Sequence, residues 1–209
     1  MVKVIVTAVP GAGKSTILKK ISEKLPNIKI INFGDIMLKE AIKILGIVNR
    51  DDLRKKVSFR DYRMLQEVAA REIAKMDGDL IIDTHATVKT IYGYYPGLPS
   101  TVVEEISPDA ILFLEFRPED ILARRARDLY KDLPEDKRIR EIESVEDVEE
   151  HQRISIEMAS AAANHVSCYF VLLKFLDAQK YPYQHAEEAA SKIIELIERM
   201  RSTERPPST

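Results

Sequence analysis

The chain has 209 residues, with 32 Lys and Arg against 34 Asp and Glu and a net charge of −2. A 45% hydrophobic and 32% charged composition suits one folded unit with a sizeable core and argues against disorder. The balanced charge provides neither a global basic footprint for nucleic acid nor a polybasic membrane tether, and a single cysteine, Cys168, allows no internal disulfide and no cysteine-rich zinc site.

Residues 3–7, Lys-Val-Ile-Val-Thr, form the first apolar run and read as a buried strand. The run leads directly into a glycine-rich motif and does not read as a signal peptide. No apolar run reaches the roughly 18 residues that span a bilayer, so a soluble, cytoplasmic chain is expected. The motif is Ala8-Val9-Pro10-Gly11-Ala12-Gly13-Lys14-Ser15-Thr16. Between a strand and a helix, this is the context of a phosphate-binding P-loop. Gly11 and Gly13 let backbone N–H groups turn inward around a phosphate, and the helix N-terminus adds its partial positive charge. Lys14 can reach the β- and γ-phosphates, and Ser15 can offer its hydroxyl to Mg²⁺. Ala8 departs from the strict pattern, which begins with glycine.

Ile17, Leu18, Ile21 and Leu25 lie on one face of the helix that opens near Lys14. A second strand is predicted at 29–32. Residues 35–76 exceed a plain crossover and read as an excursion from the sheet; Leu65, Val68, Ala69, Ile73 and Met76 make a helical stripe within it. The strand at 80–83 ends in Asp83, which is placed to reach Mg²⁺ through water. Tyr92, Tyr94, Tyr95, Pro96 and Pro99 shape a rigid loop or a subunit interface. The next strand covers 110–116. Residues 124–148 form a second excursion, with Arg124, Arg125, Arg127, Lys131, Lys137, Arg138 and Arg140 inside seventeen positions. Such a cluster is either a solvated helix pair or a flap of cations that closes over a nucleotide and excludes water. A strand at 169–173 and a helix carrying Ala186, Ala190, Ile193, Ile197 and Met200 complete the pattern. The tail, 202–209, has no apolar anchor and is expected to be disordered. Strands alternating with helices imply an α/β fold with a mainly parallel sheet. The four histidines, at 85, 151, 165 and 185, show no metal-ligand spacing. His85 could touch a phosphate or make a structural hydrogen bond.

A P-loop alone permits motors, switches, transporters and kinases. The Asn-Lys-x-Asp motif of guanine switches is absent. The remaining motifs resemble the archaeal-type adenylate kinases, within the P-loop nucleoside monophosphate kinases. They are the P-loop; Asn32-Phe33-Gly34 with Met37; Arg50-Asp51 and Arg54-Lys55; Asp83-Thr84-His85 through Lys89-Thr90 to Gly93-Tyr94-Tyr95-Pro96-Gly97-Leu98-Pro99; the arginine cluster; and Glu150-His151-Gln152. The resemblance implies a three-layer P-loop fold with a five-stranded parallel sheet of order 2-3-1-4-5. It also implies the reaction ATP + AMP ⇌ 2 ADP with Mg²⁺, and a homotrimer without zinc. It places the transferring phosphoryl group on Lys14. The monophosphate goes to Gly34, Met37 and Arg54, with Asp83 and Lys89 beside it. Arg124 goes near the ATP base and phosphates, and Arg138 and Arg140 in a lid. Asp177-Ala178-Gln179-Lys180 resembles the loop that lines the ATP adenine. Where relatives carry an arginine after the lid, this chain has Ile156, with Arg153 one turn earlier as a substitute. Two other readings remain. A kinase of a small hydroxyl-bearing metabolite would use Asp35 as base. A non-catalytic nucleotide switch would carry Ala8 and Ile156 as marks of lost catalysis.

Overall fold

A computed structural model describes residues 1–47, 49, 52, 57–132 and 143–202. In chain order the first elements are β1 (Lys3–Thr7), α1 (Lys14–Lys24), β2 (Lys29–Asn32), α2 (Phe33–Leu45), α3 (Phe59–Ala74) and β3 (Leu80–Thr84). Then come β4 (Thr87–Thr90), β5 (Gly93–Pro96), α4 (Ser100–Ile106), β6 (Ala110–Phe116), α5 (Pro118–Asp132), α6 (Val145–His165), β7 (Tyr169–Phe175) and α7 (Gln184–Ser202). Five strands form one parallel sheet in the order β2-β3-β1-β6-β7. Counted within that sheet alone, the order is the expected 2-3-1-4-5.

Side chains alternate across a strand, so a sheet covered on both sides needs apolar residues at consecutive positions. Val4 and Val6 pack into one core with Ile81, Leu112 and Leu114, covered by Ile17 and Ile21 of α1 and Ile193 and Ile197 of α7. Their neighbour Ile5 faces the other core with Leu80, Ile82 and Ile111, covered by Met37 of α2, Leu65 and Ile73 of α3 and Val102 and Val103 of α4. The result is three layers. α2 and α3, which belong to the segment 35–76, lie against the second face. Arg54 falls outside the described residues, as do Arg138, Arg140 and positions 203–209 of the tail.

Helix starts follow local chemistry. Asn32, Ser58 and Ser144 cap α2, α3 and α6 by accepting the N–H of Asp35, Asp61 and Asp147, which satisfies a donor left open by helix geometry. Two strands run longer than apolar content suggests. β3 extends to Thr84, paired with Thr7, and β7 to Phe175, paired with Phe116. The segment read as a rigid loop around Tyr92 to Tyr95 is an antiparallel hairpin, in which Val88 faces Tyr95 and Lys89 faces Tyr94. Its strands are four residues each, too short for alternation to stand out. Gln152 docks α6 onto the end of β6: its amide donates to the Phe116 carbonyl at 2.9 Å and accepts the Phe116 N–H at 3.0 Å.

Candidate active site

The first strand ends in the loop that its sequence predicts. Gly11 and Gly13 have φ of 82° and 85°, values that exclude most side chains. Ala8 lies outside that left-handed region and is 1% exposed. Its methyl therefore packs in the core, and the departure from glycine strains nothing. Gly13 precedes α1 and has no capping side chain, so the open N–H groups of the first turn face the loop.

Lys14 is buried at the start of α1. Its Nζ lies 2.6 Å from Asp83 Oδ1 and donates to the Thr84 carbonyl. Burial pushes the Lys14 ammonium below its ordinary pKa, and Asp83 offsets part of that shift. Asp83 Oδ2 accepts a 2.8 Å hydrogen bond from Asn32 Nδ2, and the Asn32 Oδ1 accepts the Asp35 N–H at 3.1 Å. β3 thus delivers the carboxylate to the C-terminal edge of the sheet, beside the loop after β1. This is where open α/β sheets bind ligands. Ser15 is exposed on the first turn of α1.

His85 makes the structural bond of the two roles open to it. Its Nδ1 is 2.7 Å from the Ala8 carbonyl, which fixes Nδ1 as the donor in the neutral ring. Burial and then Lys14 lower its pKa to about 4, so the ring is uncharged at neutral pH.

The arginine cluster reaches the loop from α5. Arg124 Nη1 donates to the Ala12 carbonyl at 2.8 Å, and its guanidinium sits 5.2 Å from the centre of the Phe116 ring. Arg125, not singled out for a site role from sequence, lies across the loop as well. Its Nε donates to the Pro10 carbonyl at 2.9 Å, and its Nη1 pairs with Glu143. A Cβ on Gly11 would come within 2.6 Å of the Arg125 stem, so Gly11 also makes room for this arginine. Consecutive arginines on a helix diverge by about 100°, and only the tertiary fold shows both returning to one loop.

The other site candidates are distributed as follows. Gly34 is half-buried in the first turn of α2, and Met37 is 3% exposed in the core beneath it. Lys89, on β4, pairs with Glu143 at 3.5 Å and Asp147 at 3.3 Å. Ile156 packs against the first core. Arg153 is 62% exposed and pairs with Glu157 on its own helix at 2.7 Å, an arrangement that does not bring it to the loop. In the segment after β7, the Lys180 N–H donates to Gln184 Oε1 at 2.7 Å, tying it to the start of α7. Sequence matching singled out His151 and Gln152 without a role. The structure shows Gln152 as a helix-to-strand clamp and His151 as buried, 5.1 Å from the Tyr94 ring.

Comparison with known proteins gives the same frame. The AAA domain family matches residues 7–149. The chain is 46% identical over 200 residues to the adenylate kinase of Pyrobaculum aerophilum, covering 95% of this chain and 98% of that one. It is 36% identical over 198 residues to the adenylate kinase of Pyrococcus abyssi, covering 93% and 94%. Among solved structures, a shikimate kinase from Acinetobacter baumannii in complex with shikimate matches with a TM-score of 0.55 at 17% identity, covering 98% of this chain and 96% of that one. A gluconokinase from Sinorhizobium meliloti matches at 0.54 and 13%, covering 98% of each chain. At these identities the structural likeness speaks for the fold alone.

Proposed function

Because the chain belongs to the adenylate kinases, we propose that it catalyses ATP + AMP ⇌ 2 ADP, with Lys14 on the transferring phosphoryl group. The observation that carries this reading is the convergence of Lys14, Arg124 and Arg125 on one phosphate loop, from α1 on one side and α5 on the other. Phosphoryl transfer needs positioned cations and an in-line array more than it needs acid–base chemistry. The acceptor is an already ionised phosphate, so an oxygen of AMP forms the new P–O bond without losing a proton. The bond from the γ-phosphorus to the β-phosphate oxygen of ATP breaks, and both products are ADP. No general base is required, and Asp35 has no part in the step.

The residues present suit a hard divalent cation. Ser15 supplies a hydroxyl and Asp83 a carboxylate, an all-oxygen donor set of the kind Mg²⁺ prefers. Asp83, whose Oδ1 lies 2.6 Å from Lys14 Nζ beside the loop, would hold the ion through water. Bound there, Mg²⁺ would neutralise charge on the phosphates. Gly34, Met37, Arg54 and Lys89 form the monophosphate side of the site. For Lys89 this means exchanging Glu143 and Asp147 for the AMP phosphate. Arg138 and Arg140 close over the nucleotides as a lid, so that water does not take the phosphoryl group. The lid segment carries no cysteine, so it offers no thiolate ligand of the kind that staples a zinc lid.

We place the enzyme in the cytoplasm with its nucleotides, as a homotrimer. An exposed apolar face supports self-association: Ile91 and Tyr92 at the hairpin tip are 90% and 79% exposed, beside Phe59 at 56%. Incubation with Mg²⁺, ATP and a panel of acceptors tests the activity. Two ADP formed per AMP consumed is the expected result. Absence of transfer to any nucleoside monophosphate would overturn the reading.

A further inference from the structure

Building on the phosphoryl-transfer reading above, we propose that Asn32 is a positioning residue that couples the acceptor helix to the carboxylate beside Lys14. Asn32 ends β2, and Asp83 is its register partner on β3. One side-chain amide is engaged at both ends. Its Oδ1 accepts the Asp35 N–H at 3.1 Å and caps α2, while its Nδ2 donates to Asp83 Oδ2 at 2.8 Å. The cap sets the amide's orientation, because only the oxygen can accept an N–H. The NH₂ group is thereby aimed at Asp83. With Oδ2 held, Oδ1 of Asp83 faces Lys14 Nζ at 2.6 Å.

A continuous chain of polar contacts therefore runs from the first turn of α2, where Gly34 lies, through Asn32 and Asp83 to the lysine of the phosphate loop. Serine and aspartate cap a helix as well as asparagine does, so capping alone does not explain the residue. Serine is too short to keep both contacts. Aspartate would cap but would set a second carboxylate against Asp83. Asparagine alone combines an acceptor for α2 with a donor for Asp83 at that reach. Binding of the acceptor against α2 then bears on the orientation of Asp83 and Lys14, and by linkage the donor nucleotide bears equally on acceptor affinity.

The test uses the full-length enzyme and the variants Asn32→Ser and Asn32→Asp, both of which keep a capping oxygen. Melting temperature, steady-state kinetics of ADP formation, and calorimetric binding of AMP with and without a non-hydrolysable ATP analogue are measured for each. Expected are near wild-type melting temperatures, a kcat lowered about ten- to a hundredfold, in the range seen when a residue supporting a metal-linked carboxylate is lost, and a KM for AMP changed much less. The effect of the ATP analogue on AMP affinity should shrink toward none. Asn32→Asp should fall below Asn32→Ser in kcat. A purely structural cap, which both variants retain, predicts kcat and coupling at wild-type values together with wild-type melting temperatures, and intact kcat and coupling in either variant overturns the proposal. Should one variant fail to fold, the other decides. Wild-type enzyme inactive on AMP would strike at the proposed function instead, a failure separate from that of Asn32.

Discussion

Gly97→Ala probes whether backbone contact between the hairpin and the end of β3 supports the phosphate loop. Gly97 is buried, and its N–H donates to the Ala86 carbonyl at 2.8 Å. A Cβ there would lie 1.9 Å from the His85 carbonyl oxygen and 2.9 Å from its carbon. Both obstacles are backbone, so no side-chain rotation relieves them, and the two segments must separate by about 1 Å. Overpacking costs roughly 1–3 kcal/mol where side chains can yield, and a rigid backbone puts this site at about 3 kcal/mol or above. For a domain of this size that lowers the melting temperature by about 6–12 °C. Displacing the His85 backbone also moves the ring that holds the Ala8 carbonyl at 2.7 Å, so KM for ATP should rise. Gly78→Ala is the control. Gly78 has φ +89° and nothing within 4 Å, so the variant carries conformational strain alone, about 1–2 kcal/mol. Calorimetric melting and ATP-dependent kinetics of both variants decide the matter. A smaller loss in Gly97→Ala than in Gly78→Ala, or an unchanged KM, would refute the reasoning.

Four further outcomes are expected. Lys14→Met should lower kcat by at least about a hundredfold, the scale of removing one donor to developing charge, while Arg138→Ala and Arg140→Ala should reduce turnover more than affinity; a lid pair with wild-type turnover would dismiss the lid assignment. Asp79 accepts the Val2 N–H at 2.7 Å and pairs with Arg201 at 2.6 Å; burial alone would raise its pKa, but these two partners together bring it below the ordinary carboxylate value. Its contribution to stability is therefore full above the unfolded pKa of about 3.9 and fades as pH falls through the lower folded value, so urea midpoints of wild type and Asp79→Asn should converge in that acid window, and a gap that persists would contradict the assignment. Ile91→Glu combined with Tyr92→Glu should reduce the mass seen by light scattering from about three chains to one, and a wild type that already runs as a single chain would end the trimer reading.

Short-range features of the site were legible because their chemistry is local. Gly-Lys-Ser-Thr after an apolar run specifies a loop, a cation and a helix start within four positions. Runs such as Val4-Ile5-Val6 announce burial on both faces, and the spacing of Ile17, Leu18 and Ile21 announces a helix face. Asp83 was legible as the polar end of such a run. The hairpin was not, because its two strands, Thr-Val-Lys-Thr and Gly-Tyr-Tyr-Pro, are four residues each and carry no sustained apolar alternation. Arg125 was hidden inside a basic cluster in which any single arginine could face solvent.

Residue types and their spacing alone mark which residues could bind phosphate, which segments are buried and which family the motifs resemble. They leave open which of those residues meet. Asn32 reaches Asp83 across 51 positions, His85 reaches Ala8 across 77, and Arg125 reaches Pro10 across 115. None of these pairs leaves a periodic trace in the chain. Each depends on strand register and on where a crossover helix returns, and a hydrogen bond tolerates only a few tenths of an ångström in either. It takes the folded chain to show that an asparagine at the end of one strand holds the carboxylate that faces the loop lysine.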